Sequence, residues 1–197
     1  KTGYTFAKGL RAILRQDPDV VMVGEMRDVE TAQIGIQASL TGHLVLSTVH
    51  TNSAVAAITR LRDMGIESFL LASSLRTIIS QRLVRRLCLK CKKEESPSKK
   101  SIALFNLDSD KKVFISSGCD ACSNTGYQGR IAIAECIQVD KSLKEMIHNN
   151  ASENLISEHV FKNNQSIDEA SSELISKGIT SCEELIRINN LQENASL

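Results

Sequence analysis

Tryptophan is absent from this chain, and aromatic residues make up only 4% of it. Leu, Ile, Val and Ala must therefore fill any core, and the 42% apolar content is enough for one of ordinary size. No run of about 18 apolar residues occurs, which excludes a membrane-spanning helix. No basic segment followed by an apolar stretch opens the chain, so no secretory signal is expected. Charge of one sign is lacking too. A net charge of +1, with so few aromatics, argues against a general nucleic-acid binder. Internal repeats are absent. So is the phosphate-cradling pattern G-x-x-x-x-G-K-[ST], which occurs nowhere in the 197 residues. This length suits one domain, or one domain with an appendage.

What is present begins with residues 18–52. Two short apolar runs, Val20 to Val23 and Leu44 to Val49, flank an amphipathic segment from about Asp28 to Leu40. This predicts a strand, a helix and a parallel strand, the βαβ unit of an α/β sheet. The first run has four consecutive apolar residues and so predicts a strand buried on both faces. It ends in Gly24-Glu25, and the second ends in His50-Thr51-Asn52. Function in such sheets gathers at the carboxyl ends of the strands. Glu25 and His50 are therefore expected to converge where a phosphate ligand would bind.

Around this unit the pattern predicts a helix over Thr5 to Arg15, stopped by Asp17-Pro18. A helix from Ser53 to Met64 carries Val55, Ile58, Leu61 and Met64 as a stripe facing the sheet. Another helix is expected over about Ser68 to Ser80, followed by a basic extended segment to Leu87. Composition changes at Cys88, and the charged stretch KCKKEESPSKKS holds the second and last proline. Domains are accordingly expected at 1–87, 88–139 and 140–197. Within the second, a short helix over 101–107, a strand over 113–115, a loop over 119–129 and a strand over 131–139 are expected. Helices over about 141–148, 152–162, 168–177 and 180–189 follow, and the final QENASL should fray.

Six cysteines lie as two C-x-x-C pairs plus Cys136 and Cys182. Cys88 and Cys91, with Cys119 and Cys122, can close a tetrahedral four-thiolate site of the kind zinc prefers. The 27-residue gap between the pairs requires a small subdomain to fold between them. A redox pair or reduced core cysteines are the alternatives. Nearby Lys90, Lys92 and Lys93 would favour thiolates. Cys136 and Cys182 read as buried small hydrophobes, and the whole pattern as a reducing compartment.

Several residues allow two readings. Glu25 can orient an attacking water or hold Mg²⁺ through one; the plain alternative is a solvated loop glutamate. His43 and His50 frame the second strand, and an isolated histidine there often has a purely structural role. Arg11, Arg15 and Arg27 suit either charge stabilisation or surface ion pairs with Asp17, Asp19 or Asp28. Arg82, Arg85 and Arg86 suit a phosphate, a lipid, a neighbouring subunit or simply a solvated strand face.

Residues 18–52, the preceding Thr5-Phe6-Ala7-Lys8-Gly9-Leu10-Arg11 and Leu14-Arg15-Gln16-Asp17-Pro18-Asp19, and the cysteines together resemble the motor ATPases of type II secretion and type IV pilus assembly. The similarity runs to about Arg187. Gly126-Tyr127-Gln128-Gly129-Arg130 also fits, with Ala132 where relatives often have Gly. The resemblance implies an α/β fold, part of a RecA-like ATPase core, with a four-cysteine zinc subdomain and a helical C-terminal subdomain. It makes Glu25 the Walker B glutamate and His43 and His50 members of a histidine box. Glu25 and His50 are then catalytic, and Gly24 and His43 nucleotide-binding. ATP, Mg²⁺ and Zn²⁺ are the implied cofactors. A homo-hexamer is implied, cytoplasmic and peripheral at the inner membrane, engaging platform and adaptor proteins. The chain is expected to be the C-terminal part of a longer motor and, lacking the P-loop, to be inactive alone. The competing expectation is a non-catalytic, zinc-braced docking module for a membrane-platform protein or motor subunit.

Overall fold

The computed structural model describes residues 5–195. Helix α1 (Phe6–Leu14) starts at Thr5, whose side chain accepts a hydrogen bond from the Lys8 N–H, and it buries Ala7 and Leu10. Strands β1 (Val20–Val23) and β2 (Leu44–Ser47) pair in parallel, with Val20 opposite Leu44 and Val23 opposite Ser47. Helix α2 (Val29–Leu40) makes the crossover between them. Asp28 caps it, accepting from the Thr31 N–H at 2.8 Å. The predicted βαβ unit is present.

One prediction for this unit fails. Val21 and Val23 pack with Ala7, Leu10 and Ile34 in a small core. Val20, Met22, Leu44 and Leu46 are exposed. The apolar run is thus covered on one face only among the described residues, because the packed side chains of α1 and α2 meet the same side of the strands.

The largest core is mainly helical. Helix α3 (Ala54–Asp63) is capped by Ser53 and ends at Gly65, whose φ of +84° suits a residue without Cβ. Its stripe Val55, Ile58, Leu61 and Met64 is buried as predicted, but chiefly against other helices. Its neighbours are α2, α4 (Ser68–Ser74), α6 (Lys141–His148) and α7 (Glu153–Val160). The Arg62 guanidinium donates to the carbonyls of Ile147 and Ala151 at 3.0 Å each, satisfying acceptors at the end of α6.

The helix predicted over 68–80 stops at Ser74, and Leu75 is already extended. The β-branched Thr77, Ile78 and Ile79 instead open a long strand, β3 (Thr77–Leu87). It pairs with β6 (Tyr127–Gln138), which begins four residues before the expected start. The charged stretch after Cys88 contains β4 (Lys93–Glu95), antiparallel to β5 (Val113–Ile115), with α5 (Lys99–Phe105) between them. Helices α8 (Ile167–Ser176) and α9 (Cys182–Ala195) complete the chain. The expected fraying of 192–197 falls partly on Ser196 and Leu197, outside the described residues. No helix among the described residues is long and apolar enough to cross a membrane.

The chain divides into two compact units. One takes the residues up to Ile78 with Cys136–Asn163; the other takes Ile79–Glu135 with the residues from Asn164 on. Two of the cuts fall inside β3 and β6, whereas composition alone suggests boundaries after residues 87 and 139. In the second unit Val84, Phe105, Val113, Ile133, Ile175, Cys182 and Leu185 form the core. Cys136, expected to be buried, is exposed because it falls on the outward-facing phase of β6.

A buried acid braces this second unit. The Glu184 side chain is fully buried and accepts from Arg85 Nε at 2.8 Å, Arg85 Nη2 at 2.6 Å, Arg187 Nε at 2.9 Å and Arg187 Nη2 at 2.8 Å. It also accepts from the Arg85 backbone N–H at 3.0 Å. Arg85 lies 4.1 Å from the Tyr127 ring centroid, and the Tyr127 hydroxyl meets Ser181 Oγ at 2.7 Å. Burial raises the carboxyl pKa, but the Arg187 and Arg85 bonds outweigh it and hold Glu184 down at about 2. The sign follows. The stabilisation is complete above the ordinary glutamate value of 4.5 and is lost as pH falls through about 2. Glu184→Gln should destabilise the second unit by about 2 kcal/mol, less than for a fully buried pair because both arginines reach solvent. Hydrogen exchange of β3 amides in the variant and the wild type, at pH 7, checks this.

Candidate functional site

Two constellations stand out. The first lies at the carboxyl end of the parallel pair. Past Val23, Gly24-Glu25 continues β1; past Ser47, Thr48-Val49-His50 continues β2. His50 Nε2 lies 2.9 Å from Glu25 Oε1. The other carboxylate oxygen, Oε2, accepts from Arg27 Nε. The Glu25 side chain is 17% exposed, against 88% for His50 and 77% for Arg27. A half-sheltered carboxylate thus sits between two accessible nitrogen groups, a set suited to holding water or a phosphate-bound cation.

Local structure explains the placement. The Thr48 hydroxyl donates to the Gly24 carbonyl at 2.7 Å, and the Met26 N–H donates to the Thr48 carbonyl at 3.0 Å. Met26 in turn lies over α2. A Cβ at Gly35 would stand 2.5 Å from Met26 Cε, so a larger residue there would require the methionine side chain to shift.

His43 is elsewhere. It precedes β2, whereas His50 follows it, and its Nδ1 lies 3.0 Å from the Ala38 carbonyl and 3.2 Å from Thr41 Oγ1. Its ring closes off the end of α2. The structure brings Gly24, Glu25 and His50 together and does not bring His43 to them. Arg27 is the residue that sequence reasoning left out. Its two-residue spacing from Glu25 was the available signal. Arg11 instead pairs with Glu30 at 2.9 Å on the surface.

The second constellation is the cysteine cluster. The Sγ atoms of Cys88, Cys91, Cys119 and Cys122 all lie within 4.8 Å of one another. Cys88–Cys119 is 3.9 Å, and Cys91–Cys122 and Cys119–Cys122 are 3.8 Å each. Tetrahedral coordination with metal–sulfur bonds of about 2.3 Å requires sulfur–sulfur separations of about 3.8 Å. The three separations given match that value, and all four thiols lie close enough together to hold one ion.

Backbone amides prepare the site. Cys122 Sγ accepts from the N–H of Cys119 at 3.3 Å and of Gly126 at 3.2 Å. Burial raises the Cys122 pKa, but these two N–H groups and the neighbouring thiols bring it down to about 6. Burial pushes the Cys91 thiol up to about 11, with only partial relief from the Gly118 backbone. Gly126 has φ +76°, and a Cβ there would stand 2.5 Å from Ser116 Cβ. The Cys88 N–H donates to the Gly126 carbonyl at 2.9 Å, tying the two knuckles together. Lys92 points away from the thiols. It donates to the Gly178 carbonyl at 2.9 Å and lies 4.3 Å from the Phe114 ring centroid.

Several known proteins are similar to this chain. The profile of the family described as Type II/IV secretion system protein matches residues 1–187. The type II secretion system ATPase E of Vibrio cholerae serotype O1 is 54% identical over 192 residues, covering 95% of this chain and 38% of that protein. The type II secretion system protein E of Aeromonas hydrophila is 50% identical over 190 residues, again 95% of this chain and 38% of the relative. Among solved structures, the pilus retraction motor PilT with bound ADP superposes with a TM-score of 0.64 at 27% identity, over 91% of this chain and 42% of PilT. The Legionella pneumophila ATPase DotB superposes with a TM-score of 0.65 over 94% of this chain and 42% of DotB; at 22% identity this likeness is one of fold. The chain thus spans 38% of the length of these curated relatives. With the profile match extending over residues 1–187, this chain belongs to the type II/IV secretion system protein family.

Proposed function

We infer that this chain supplies the hydrolytic edge of an ATP-driven motor for type II secretion or type IV pilus assembly. The observation that carries the reading is the 2.9 Å contact between Glu25 and His50 at the carboxyl ends of two parallel strands. Two similarities support it: 54% identity to a secretion ATPase and a fold shared with an ADP-bound pilus motor. In this reading Glu25 orients the attacking water and accepts its proton. His50, on the solvent side of the carboxylate, reaches towards the γ-phosphate. Gly24 lets the backbone approach the nucleotide. Arg27 would leave Glu25 to meet charge on the transferred phosphoryl group. Mg²⁺, when bound, would neutralise phosphate charge and meet Glu25 through a bound water, not by direct ligation.

The four cysteines hold Zn²⁺ in this reading, and the metal's role is structural. It joins the two knuckles of the second unit, where β4 and β5 are only three residues each and bury little apolar surface. The assembled motor is a cytoplasmic hexamer that engages membrane-platform proteins. Phosphate grip in such motors comes largely from P-loop amides and lysine, which these 197 residues do not contain.

Three outcomes are expected. The 197-residue chain alone binds ATP weakly and turns it over negligibly. A clear steady-state rate that Glu25→Gln abolishes would contradict this. Joined to the part of the Vibrio cholerae relative that it does not match, the chain hydrolyses ATP, and Glu25→Gln lowers kcat by about 100-fold or more. Turnover unchanged by that substitution would remove Glu25 from the reaction. Elemental analysis of the purified chain finds one zinc per polypeptide. Cys91→Ser/Cys119→Ser loses it and exposes the loop over 116–126 to protease; metal-free, fully reduced protein resistant to protease would overturn the zinc assignment.

A further inference from the structure

The geometry points to Thr48 as a positioning residue that staples the His50 loop to both neighbours of Glu25 and so holds the acid and the imidazole in register. This deepens the reading above and rests on it.

Ladder pairing between β1 and β2 ends at Val23 and Ser47. Beyond that point each strand becomes a loop, and the loops carry Glu25 and His50. Thr48 continues the connection with two bonds. Its hydroxyl donates to the Gly24 carbonyl at 2.7 Å, and its carbonyl accepts from the Met26 N–H at 3.0 Å. Gly24 and Met26 are the residues immediately before and after Glu25. Two residues beyond Thr48, His50 Nε2 meets Glu25 Oε1 at 2.9 Å. Glu25, Met26, Thr48, Val49 and His50 therefore form one closed ring of covalent and hydrogen bonds. Val49, between the two, is partly buried against the helical core, which anchors the ring from behind.

The side-chain chemistry is specific. Gly24 offers a carbonyl, so the staple needs a donor on a short side chain. Serine or threonine supplies one; valine has the same shape as threonine and supplies none. The Thr48 hydroxyl and carbonyl bond the backbone of Gly24 and Met26 rather than the Glu25 carboxylate or the His50 ring, so its influence passes through loop geometry. Misplacement of a catalytic group by about 1 Å can lower turnover by about 100-fold, and loss of one of the two staple bonds should have a smaller effect.

The test pairs a structural readout with a kinetic one. In the intact 197-residue chain, Thr48→Val should speed hydrogen exchange of the Met26 amide about tenfold, with α3 and α7 amides unchanged. In the ATPase-competent chimera, Thr48→Val should lower kcat about tenfold with KM for ATP within about twofold, and Thr48→Ser should restore turnover to within about threefold of wild type. Three results would overturn the proposal: unchanged Met26 exchange in Thr48→Val, wild-type kcat in that variant, or equal impairment by Val and Ser. Failure of the underlying reading has a different signature. Glu25→Gln then turns over like wild type, while Met26 exchange still reports whether the staple exists.

Discussion

The parallel pairing of β1 with β2 is the constraint on which the candidate site depends. Glu25 and His50 are 25 residues apart in the chain, with a 12-residue helix between them. A parallel pair carries both strands to the same edge, and the Val23–Ser47 register leaves each with a short loop of nearly equal reach. Antiparallel pairing would send the two residues to opposite edges. A register shift of one residue would turn the inward Val21 and Val23 outwards. Burial of these valines against α1 and α2 therefore also fixes where the acid and the imidazole meet.

The second unit is organised differently. Its segments around β4 and β5 are short and contribute only Phe105 and Val113 to a core otherwise built from β3, β6, α8 and α9. Two polar clusters supply what apolar packing does not. The four thiols bring two C-x-x-C pairs, 27 residues apart, within 4.8 Å. Glu184 of α9 is tied to β3 by Arg85, and Arg187 on its own helix completes the set of donors. Each cluster contains at least one link across 31 or more positions: Cys88 to Cys119, and Arg85 to Glu184. Each is costly if only half satisfied, because a buried carboxylate or thiolate needs all of its donors or ligands.

Much of the site was legible because it depends on local pattern. The strand-helix-strand rhythm, the polar residues at strand ends and the paired C-x-x-C motifs are read within short windows, and each led to residues that the structure brings together. The errors share a cause. Arg85 and Arg86 look like one basic face, yet Arg85 turns to a glutamate 99 residues away while Arg86 is exposed. Ser68 to Ser80 looks like one helix, yet the β-branched residues from Thr77 on find a strand partner in β6. In each case a distant segment, invisible in a local window, decided the outcome.

By itself the sequence determined the parallel unit, the identities of the acid, the imidazole and the four thiols, and family membership, because all of these reside in contiguous motifs. Tertiary structure alone decided that Thr48 bridges the neighbours of Glu25, that Cys136 faces outwards and that Glu184 is buried beside Arg85. Those outcomes depend on strand phase and on which distant side chain arrives within hydrogen-bonding reach. Residue type and spacing do not encode that separately from the folded chain.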